Sequence, residues 1–297
     1  MDTVIETRDL TKRFGGKTAV DRLTLSVPRG AICALLGDNG AGKTTTIRML
    51  TGLLPADAGS ATILGQDSWS AASALRRRVA YVPERPSYYD WMTVAETGWF
   101  TAGFHSREFL PRFQEWAAKF QLDPKARLRN LSKGQYAKVG LALALAIDPE
   151  VMILDEPTSG LDLLVRREFL GSMVGLVAEG RTILISSHQI AEVERVASHV
   201  AFIAQGRLLL FAALEEIRRR IVRLRLRYEG QPPDAAALGT VLQRNGAGKQ
   251  WQAVLQDPRA EALEALPHAE GIHDVEVSAL HLEEVYCALL ARKEEAP

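Results

Sequence analysis

The chain has 297 residues, of which 47% are hydrophobic, so we expect one large domain with an ample core and a smaller domain beside it. Its 36 basic and 36 acidic residues cancel, which argues against a protein that holds nucleic acid by bulk electrostatics. The N-terminus lacks the layout of a signal peptide, and no apolar run approaches the roughly 20 residues of a membrane helix. We therefore predict a soluble protein that reaches a membrane only through a partner.

Strand-like segments and a phosphate-binding motif begin the predicted fold. Residues 4–30 alternate in the manner of strands, with turn signals at Gly15-Gly16 and at residues 28–30. An apolar run over residues 31–36 is typical of a buried strand, and a helical pattern follows over residues 45–50. The segment between them matches the phosphate loop G-x-x-x-x-G-K-[ST] and comprises Gly37, Asp38, Asn39, Gly40, Ala41, Gly42, Lys43, Thr44 and Thr45.

This loop is suited to capture the phosphates of a nucleoside triphosphate. Its glycines let successive N–H groups point at phosphate oxygens, and the positive end of the following helix dipole strengthens their field. Lys43 is expected on the β- and γ-phosphates, and the Thr44 hydroxyl on Mg²⁺. The alternative is a glycine-rich turn that binds nothing, but the lysine, the threonine and both flanking elements favour nucleotide binding.

Beyond the loop, predicted strands and helices alternate. Short strands are expected at residues 60–64 and 79–82, and helical patterns fill residues 87–147. Apolar runs at 151–154 and 182–185 are typical of parallel strands that are buried on both faces. The sequence therefore predicts an α/β fold of the P-loop NTPase class, with a mostly parallel core sheet and an antiparallel β part at the N-terminus.

The domain organisation is predicted from the changes in these patterns. Residues 1–215 are expected to form the nucleotide-binding domain, which a helical subdomain interrupts at about residues 86–148. Residues 216–297 are expected to form a small α+β accessory domain. The aromatic residues of the helical subdomain are interpreted as packing residues: Trp91, Trp99, Phe100, Phe104, Phe113, Trp116 and Phe120.

The C-terminal domain contains a basic strand and a false phosphate loop. Residues 221–227 alternate apolar and basic, which predicts a half-exposed strand. The arginines between residues 218 and 227 are interpreted as a solvated face, with a docking surface for acidic lipid or a partner as the alternative. Residues 245–249 repeat the letters of residues 39–43, but glutamines stand where the first glycine and the Ser/Thr are required. We predict a hairpin turn there.

Two carboxylates follow the predicted strand at residues 151–154. The segment Ile153–Pro157 has the form of a Walker B strand end. Asp155 would stand beside the phosphate loop and hold Mg²⁺ directly or through water. Glu156 comes next, where a carboxylate can orient and deprotonate an attacking water.

Further motifs show which P-loop family the chain resembles. Leu131-Ser132-Lys133-Gly134-Gln135 resembles the LSGGQ signature of ATP-binding cassette proteins, and Ser159-Gly160-Leu161-Asp162 resembles their D-loop. His188 resembles the switch histidine, and Phe14 occupies the position of the aromatic that stacks on adenine. With all these motifs in the correct order, the chain resembles an ATP-binding cassette (ABC) ATPase over roughly residues 4–215.

The resemblance implies a site that two chains share. Two nucleotide domains would pack head to tail, as a homodimer or with a related ATPase subunit, and hold each ATP between one phosphate loop and the other chain's signature. Ser132, Gly134 and Gln135 would then complete the γ-phosphate site, His188 would contact the γ-phosphate, and Asp162 would link the two sites. ATP would close the dimer, and the helical insertion would carry its movement to a transmembrane permease.

Two residues depart from the family pattern. Glu84 follows Tyr81-Val82-Pro83, where the family usually has glutamine. A carboxylate can still reach Mg²⁺ or water, so Glu84 is expected at the metal with Thr44 and Asp155. Lys133 replaces a glycine of the signature, and we expect it to face outward, where a cation assists ATP binding.

The tail narrows the functional prediction. Residues 278–286 resemble the ending of ATPases that pair with ABC-2-type permeases, most of which export, although a short amphipathic helix ending is the alternative. We predict the ATPase subunit of an exporter, without nucleic-acid partners and peripheral on the inner face of the cell membrane through its permease. The alternative functions are a cytosolic ATP switch and a role in cell-envelope remodelling.

Overall fold

The computed structural model describes residues 2–295. Two compact units form, Met1–Phe211 and Ala212–Pro297, and each is described by itself. Within the described residues no helix is both long and apolar enough to cross a membrane.

The first unit begins with a four-stranded antiparallel sheet in the order β2-β1-β4-β5. Gly15 and Gly16 both have positive φ, at 50° and 86°, and Phe14 pairs with Lys17 across them. A two-residue hairpin of this kind matches the twist of the strands that it joins, which is why two glycines occupy it. The strands are β1 Thr3–Phe14, β2 Lys17–Pro28, β4 Ala58–Ile63 and β5 Gln66–Asp67.

A second sheet of six strands, in the order β10-β9-β3-β8-β7-β6, forms the core. Its strands are β3 Ile32–Leu36, β6 Val79–Val82, β7 Val151–Asp155, β8 Thr182–Ser187, β9 His199–Ala204 and β10 Arg207–Ala213. The predicted parallel pairing is confirmed for β6–β7, β7–β8 and β8–β3, and β3 also pairs in parallel with β9, a strand that was not predicted. Every residue of β3, β7 and β8 is buried, as expected of strands that are covered on both faces. The carboxyl ends of these strands therefore meet at one edge.

Seven helices accompany these sheets in the described part of the first unit: α1 Lys43–Leu50, α2 Ala72–Leu75, α3 Val94–Ala102, α4 Phe109–Lys119, α5 Lys133–Ala146, α6 Leu163–Ala178 and α7 Ile190–Val193. Helices α3, α4 and α5 share a core of their own, which includes Phe109 and Phe113. A Cβ on Gly98 would lie 2.1 Å from the Phe113 ring, so α3 and α4 approach closely only because residue 98 is glycine.

The prediction that the aromatic residues of this insertion all pack inside is wrong for four of them, including Phe100, which is 39% exposed. Trp91, Trp99 and Phe104 are 60%, 69% and 75% exposed, whereas Phe113 is buried. Phe113 sits on the amphipathic helix α4 and faces the shared core. The four exposed rings lie at or beyond the ends of α3, or on its outer face, where the aromatic residue type alone does not distinguish core from surface.

The second unit is a four-stranded antiparallel sheet, in the order β12-β13-β11-β14, with four helices in its described part. Its elements are α8 Leu214–Arg220, β11 Ile221–Tyr228, α9 Ala235–Leu238, β12 Thr240–Ala247, β13 Gln250–Gln256, α10 Ala260–Ala265, β14 Ile272–Ala279 and α11 Leu282–Glu295. The half-exposed strand is confirmed, because Leu224 and Leu226 are buried while Arg225 and Arg227 are exposed. The false phosphate loop is the predicted hairpin turn between β12 and β13, where Ala247 pairs with Gln250.

The two cysteines differ in accessibility, which gives a simple test of the fold. Cys33 lies in β3 with no exposed surface, and burial raises the pKa of its thiol to about 12, so it is a neutral, inaccessible thiol at pH 8. Cys287 is exposed on α11. We expect a thiol-specific chromogenic reagent at pH 8 to titrate one cysteine in the native protein and both after denaturation. A Cys287→Ser variant that still reacted natively would contradict the placement of β3 in the core.

Candidate nucleotide-binding and hydrolysis site

The phosphate loop runs from the end of β3 to the start of α1 and is shaped by close packing. A Cβ on Gly37 would lie 2.2 Å from the Ile203 carbonyl oxygen, and one on Gly42 would lie 2.6 Å from the Ala19 carbonyl oxygen. Gly42 also has φ of 110°, a conformation that other residues rarely adopt. The loop therefore packs closely against neighbouring backbone. This packing requires glycine at both positions, independently of any ligand.

Lys43 is buried inside this loop, where its side chain is 6% exposed. Its Nζ donates to the Gly37 carbonyl oxygen at 2.7 Å and to the Asp38 carbonyl oxygen at 3.1 Å. Nζ also lies 3.1 Å from Oε1 of Glu156, which is an ion pair without hydrogen-bond geometry. The loop thus holds a buried positive charge that interacts with one carboxylate and two backbone dipoles.

Glu156 follows the end of β7 and carries the second charge of the site. Its side chain is 8% exposed, and its φ of 47° is unusual for a residue other than glycine. Such backbone strain is concentrated at functional sites. Oε2 lies 2.9 Å from His188 Nδ1 and accepts a bond from the His188 backbone N–H at 3.3 Å. The carboxylate is therefore held between Lys43 and His188 at the carboxyl ends of adjacent strands.

The predicted metal ligands are brought together only in part. Thr44 Oγ1 donates to Asp155 Oδ1 at 3.1 Å, although these residues lie 111 positions apart in sequence. Glu84 lies just beyond β6, with its carboxylate 41% exposed and 3.7 Å from Arg85 Nε. Mg²⁺ commonly uses one or two protein oxygen ligands and completes its shell with phosphates and water, so Thr44 and Asp155 fit this ion. No group of three His, Cys, Asp or Glu side chains suited to a metal occurs within residues 2–295.

Phe14 ends β1 with its ring 49% exposed. Lys12 Nζ lies over this ring, 5.7 Å from the centroid, and is itself bound to Asp57 Oδ1 at 2.8 Å. The ring is thereby fixed on one side, and a large part of its surface is available for a base to stack on.

The signature and D-loop residues cap helices. Ser132 and Gln135 form a capping box at the start of α5, in which each side chain accepts a bond from the backbone N–H of the other. Asp162 accepts bonds from the backbone N–H groups of Leu164 and Val165 at the start of α6. A Cβ on Gly134 would lie 2.7 Å from Val165 Cγ1, so this glycine allows α5 to approach α6 closely. The signature is thus a rigid helix N-terminus.

The chain is similar to known proteins in sequence and in structure. The family model for "ABC transporter" matches residues 20–159. The chain is 37% identical to the bacitracin transport ATP-binding protein BcrA of Bacillus licheniformis over 74% of this chain and 73% of that one. It is 31% identical to the daunorubicin/doxorubicin resistance ATP-binding protein DrrA of Streptomyces peucetius, over 96% and 92% of the two chains. The chain belongs to the ABC transporter family. A solved ATP-binding subunit of an ABC transporter superposes with a TM-score of 0.66 at 32% identity, covering 73% of this chain and 92% of that one.

The family membership makes the chain an ABC ATPase with the P-loop NTPase fold that the sequence predicts. Of the predicted site residues, the model brings Lys43, Thr44, Asp155, Glu156 and His188 into one connected cluster. Lys133 is exposed, as expected, and its Nζ would lie 3.3 Å from a Cβ on Gly160 of the D-loop. The predicted roles of Phe14, Glu84 and the signature residues remain predictions.

Ser186, which was not among the predicted site residues, connects the two carboxylates of this ABC ATPase. Ser186 lies in β8 with no exposed surface. Its hydroxyl donates to Asp155 Oδ1 at 2.7 Å and accepts the backbone N–H of Glu156 at 2.9 Å. The only signal in the sequence is a pair of serines, Ser186 and Ser187, between the apolar run at residues 183–185 and His188.

Replacing Ser186 with alanine should therefore destabilise the site. The change leaves the buried Glu156 N–H without its acceptor and removes one of the two hydrogen bonds that Asp155 Oδ1 accepts, which costs about 1–3 kcal/mol of the free energy of unfolding. Urea unfolding of Ser186→Ala without nucleotide measures this. Ser172→Ala is the control, because the Ser172 hydroxyl bonds only locally, to the Phe169 carbonyl oxygen. Equal unfolding midpoints for the two variants would contradict the assigned role of Ser186.

Proposed function

We propose that this ABC ATPase hydrolyses ATP to drive export through a separate transmembrane permease. The observation that carries the proposal is the cluster of Lys43, Glu156 and His188 at the edge where the parallel strands end. Ligands of open α/β sheets bind at this edge. Phe14 favours adenine as the base, and the protein would work at the inner face of the cell membrane.

In this proposal the ion pair of Lys43 changes partner when ATP binds. In the structure, Lys43 Nζ donates hydrogen bonds to two loop carbonyl oxygens and forms an ion pair with Glu156. Triphosphate oxygens carry more negative charge than these carbonyls, so the ammonium group would turn to the β- and γ-phosphates. Glu156 is thereby released from Lys43 and becomes available as the general base.

Glu156 would then take a proton from the water that attacks the γ-phosphate. An ionised carboxylate only accepts hydrogen bonds, so its contact with His188 places a proton on Nδ1. The His188 backbone N–H adds a second bond to the same oxygen, which orients the carboxylate. When bound, Mg²⁺ would neutralise charge on the phosphates, with Thr44, Asp155 and, as the sequence suggests, Glu84 as its protein ligands.

The active form would be a head-to-tail dimer, either of this chain or with a related ATPase subunit. The rigid N-terminus of α5 at Ser132 is exposed, and the positive end of its helix dipole suits a γ-phosphate. Gly134 and Gln135 belong to the same turn. Asp162 is exposed at the start of α6, where it can meet the partner chain.

The permease would bind an aromatic patch of the helical insertion, which comprises Tyr89, Trp91, Phe100 and Phe104. Neighbouring rings of this patch contact each other at centroid distances of 5.6 to 5.8 Å, and each ring is 39% to 75% exposed. Clustered exposed aromatic side chains mark interaction sites. Export is the proposed direction because one relative is named for bacitracin transport and another for drug resistance, and because residues 278–286 resemble the ABC-2 ending.

Extraction of the tagged chain from membranes tests this function. We expect a multispanning membrane protein to co-purify with the wild-type chain and to be lost from the double variant Trp91→Ser/Phe104→Ser. Trp69→Ser is the matched control, because Trp69 is 54% exposed outside the patch. Recovery of ribosomes or DNA in place of a membrane protein would favour a cytosolic switch and contradict the proposal.

A further inference from the structure

Arg166 lies on α6 between two loops of the hydrolysis site, with its side chain only 15% exposed. Its Nη2 donates to the Leu161 carbonyl oxygen at 2.8 Å. Its Nη1 contacts Gln189 Oε1 and Glu192 Oε1. A guanidinium group can serve several acceptors in one plane, which lysine cannot do.

The two loops that Arg166 joins carry the catalytic groups. The first, residues 156–162, begins at Glu156 and ends at Asp162, and two backbone bonds stiffen it: Ser159 N–H to the Glu156 carbonyl oxygen and Leu161 N–H to that of Thr158. The second, residues 188–192, begins at His188 and continues into the first residues of α7. The loops already meet at the contact of Glu156 with His188. Arg166 provides a second connection between them, further along each loop.

The contacts of Arg166 leave hydrogen-bonding capacity unused. Arg166 Nε and Glu192 Oε2 are both buried and have no hydrogen-bond partner within the described residues. Buried polar groups without partners disfavour the arrangement that leaves them so. A relative shift of the two segments that brings Arg166 Nε to Glu192 Oε2 would satisfy both groups.

We propose that Arg166 is a positioning residue that couples the Asp162 loop to His188. This inference rests on the proposed function, in which Asp162 meets the partner chain. Contact there would move the Leu161 carbonyl, Arg166 would transmit the shift to Gln189, and the adjacent His188 would align Glu156 with the attacking water. Hydrolysis in one chain would thereby depend on the position of the other chain.

Steady-state ATP turnover with the permease present tests the coupling. We expect Arg166→Gln to lower kcat about tenfold, the range that residues in coupling networks show, with ATP affinity within twofold of wild type. Arg167→Gln, an exposed change on the same helix, should leave kcat unchanged. Glu192→Gln should reproduce part of the loss. In a His188→Ala background, Arg166→Gln should lower kcat by less than twofold, because Arg166 acts through His188.

The inference is overturned if Arg166→Gln leaves kcat within twofold of wild type. An equal loss in the wild-type and His188→Ala backgrounds overturns it too, because such a loss reports a structural role. If Arg166→Gln does not fold, Arg166→Lys keeps the charge and is held to the same criteria. Turnover that did not depend on Glu156 would instead overturn the proposed function. If turnover depended on Glu156 but Arg166→Gln had no effect on kcat, only the coupling would be overturned.

Discussion

Glu156→Gln should reduce ATP turnover by about a thousandfold, because a positioned general base typically contributes 10²- to 10⁴-fold. Glutamine keeps the size of the side chain but cannot accept a proton from water. The same change leaves Lys43 buried without its counter-charge, so the nucleotide-free variant should unfold at a lower temperature than wild type. ATP phosphates would supply the missing charge, so ATP should raise the unfolding temperature of the variant more than that of wild type.

Single-turnover hydrolysis and thermal unfolding with and without Mg·ATP measure these two effects. Glu115→Gln is the control, since Glu115 is an exposed carboxylate on α4, with 68% of its side chain accessible. Residual turnover of Glu156→Gln within tenfold of wild type would show that another group acts as the base.

Lys43→Met should weaken ATP binding by roughly 30-fold to several thousandfold, which corresponds to the loss of about 2–5 kcal/mol from a desolvated charge contact. Methionine retains most of the apolar stem and removes only the charged end. Without the ammonium group, the triphosphate also meets the Glu156 carboxylate with no positive charge between them. Both effects act on binding, so the loss should appear in the equilibrium affinity for ATP as well as in turnover.

The chain supplies an unusual control for this variant. Lys249 follows the same four letters as Lys43, yet it lies in the hairpin turn between β12 and β13. Lys249→Met should leave the affinity for a fluorescent ATP analogue within twofold of wild type. If the two lysine variants bound ATP equally well, the phosphate loop would not be the nucleotide site.

The contrast between these lysines shows what the sequence could predict. The letters Asn-Gly-Ala-Gly-Lys occur twice, but only residues 39–43 follow an apolar run long enough for a buried parallel strand. Local hydrophobic pattern therefore identified the site, as it identified the strands at 151–154 and 182–185. The positions of Lys43 and Glu156 were predictable for the same reason, because both follow such strands directly.

Contacts that depend on strand order and register could not be predicted from the sequence. Ser186 reaches Asp155 because β8 pairs with β7 in a register that places these residues side by side. Nothing local to Ser186 indicates this neighbour. Arg166 meets Gln189 across 23 residues for a similar reason, since the packing of α6 beside β8 determines the contact. Trp91, Phe100 and Phe104 of the aromatic patch were predicted to pack inside because an aromatic residue is equally suited to a core and to an interface.

In the proposed function, the phosphate loop is one half of a site whose other half belongs to a second chain. Sedimentation of Glu156→Gln, which should bind ATP without hydrolysing it, tests this directly. We predict twice the mass of one chain with Mg·ATP, and a single chain with ADP or without nucleotide. Ser132→Asp in the same background keeps the helix cap but repels the γ-phosphate, so it should remain a single chain. A single-chain mass for Glu156→Gln at saturating ATP, or an ATP-dependent dimer that tolerates Ser132→Asp, would contradict the shared site.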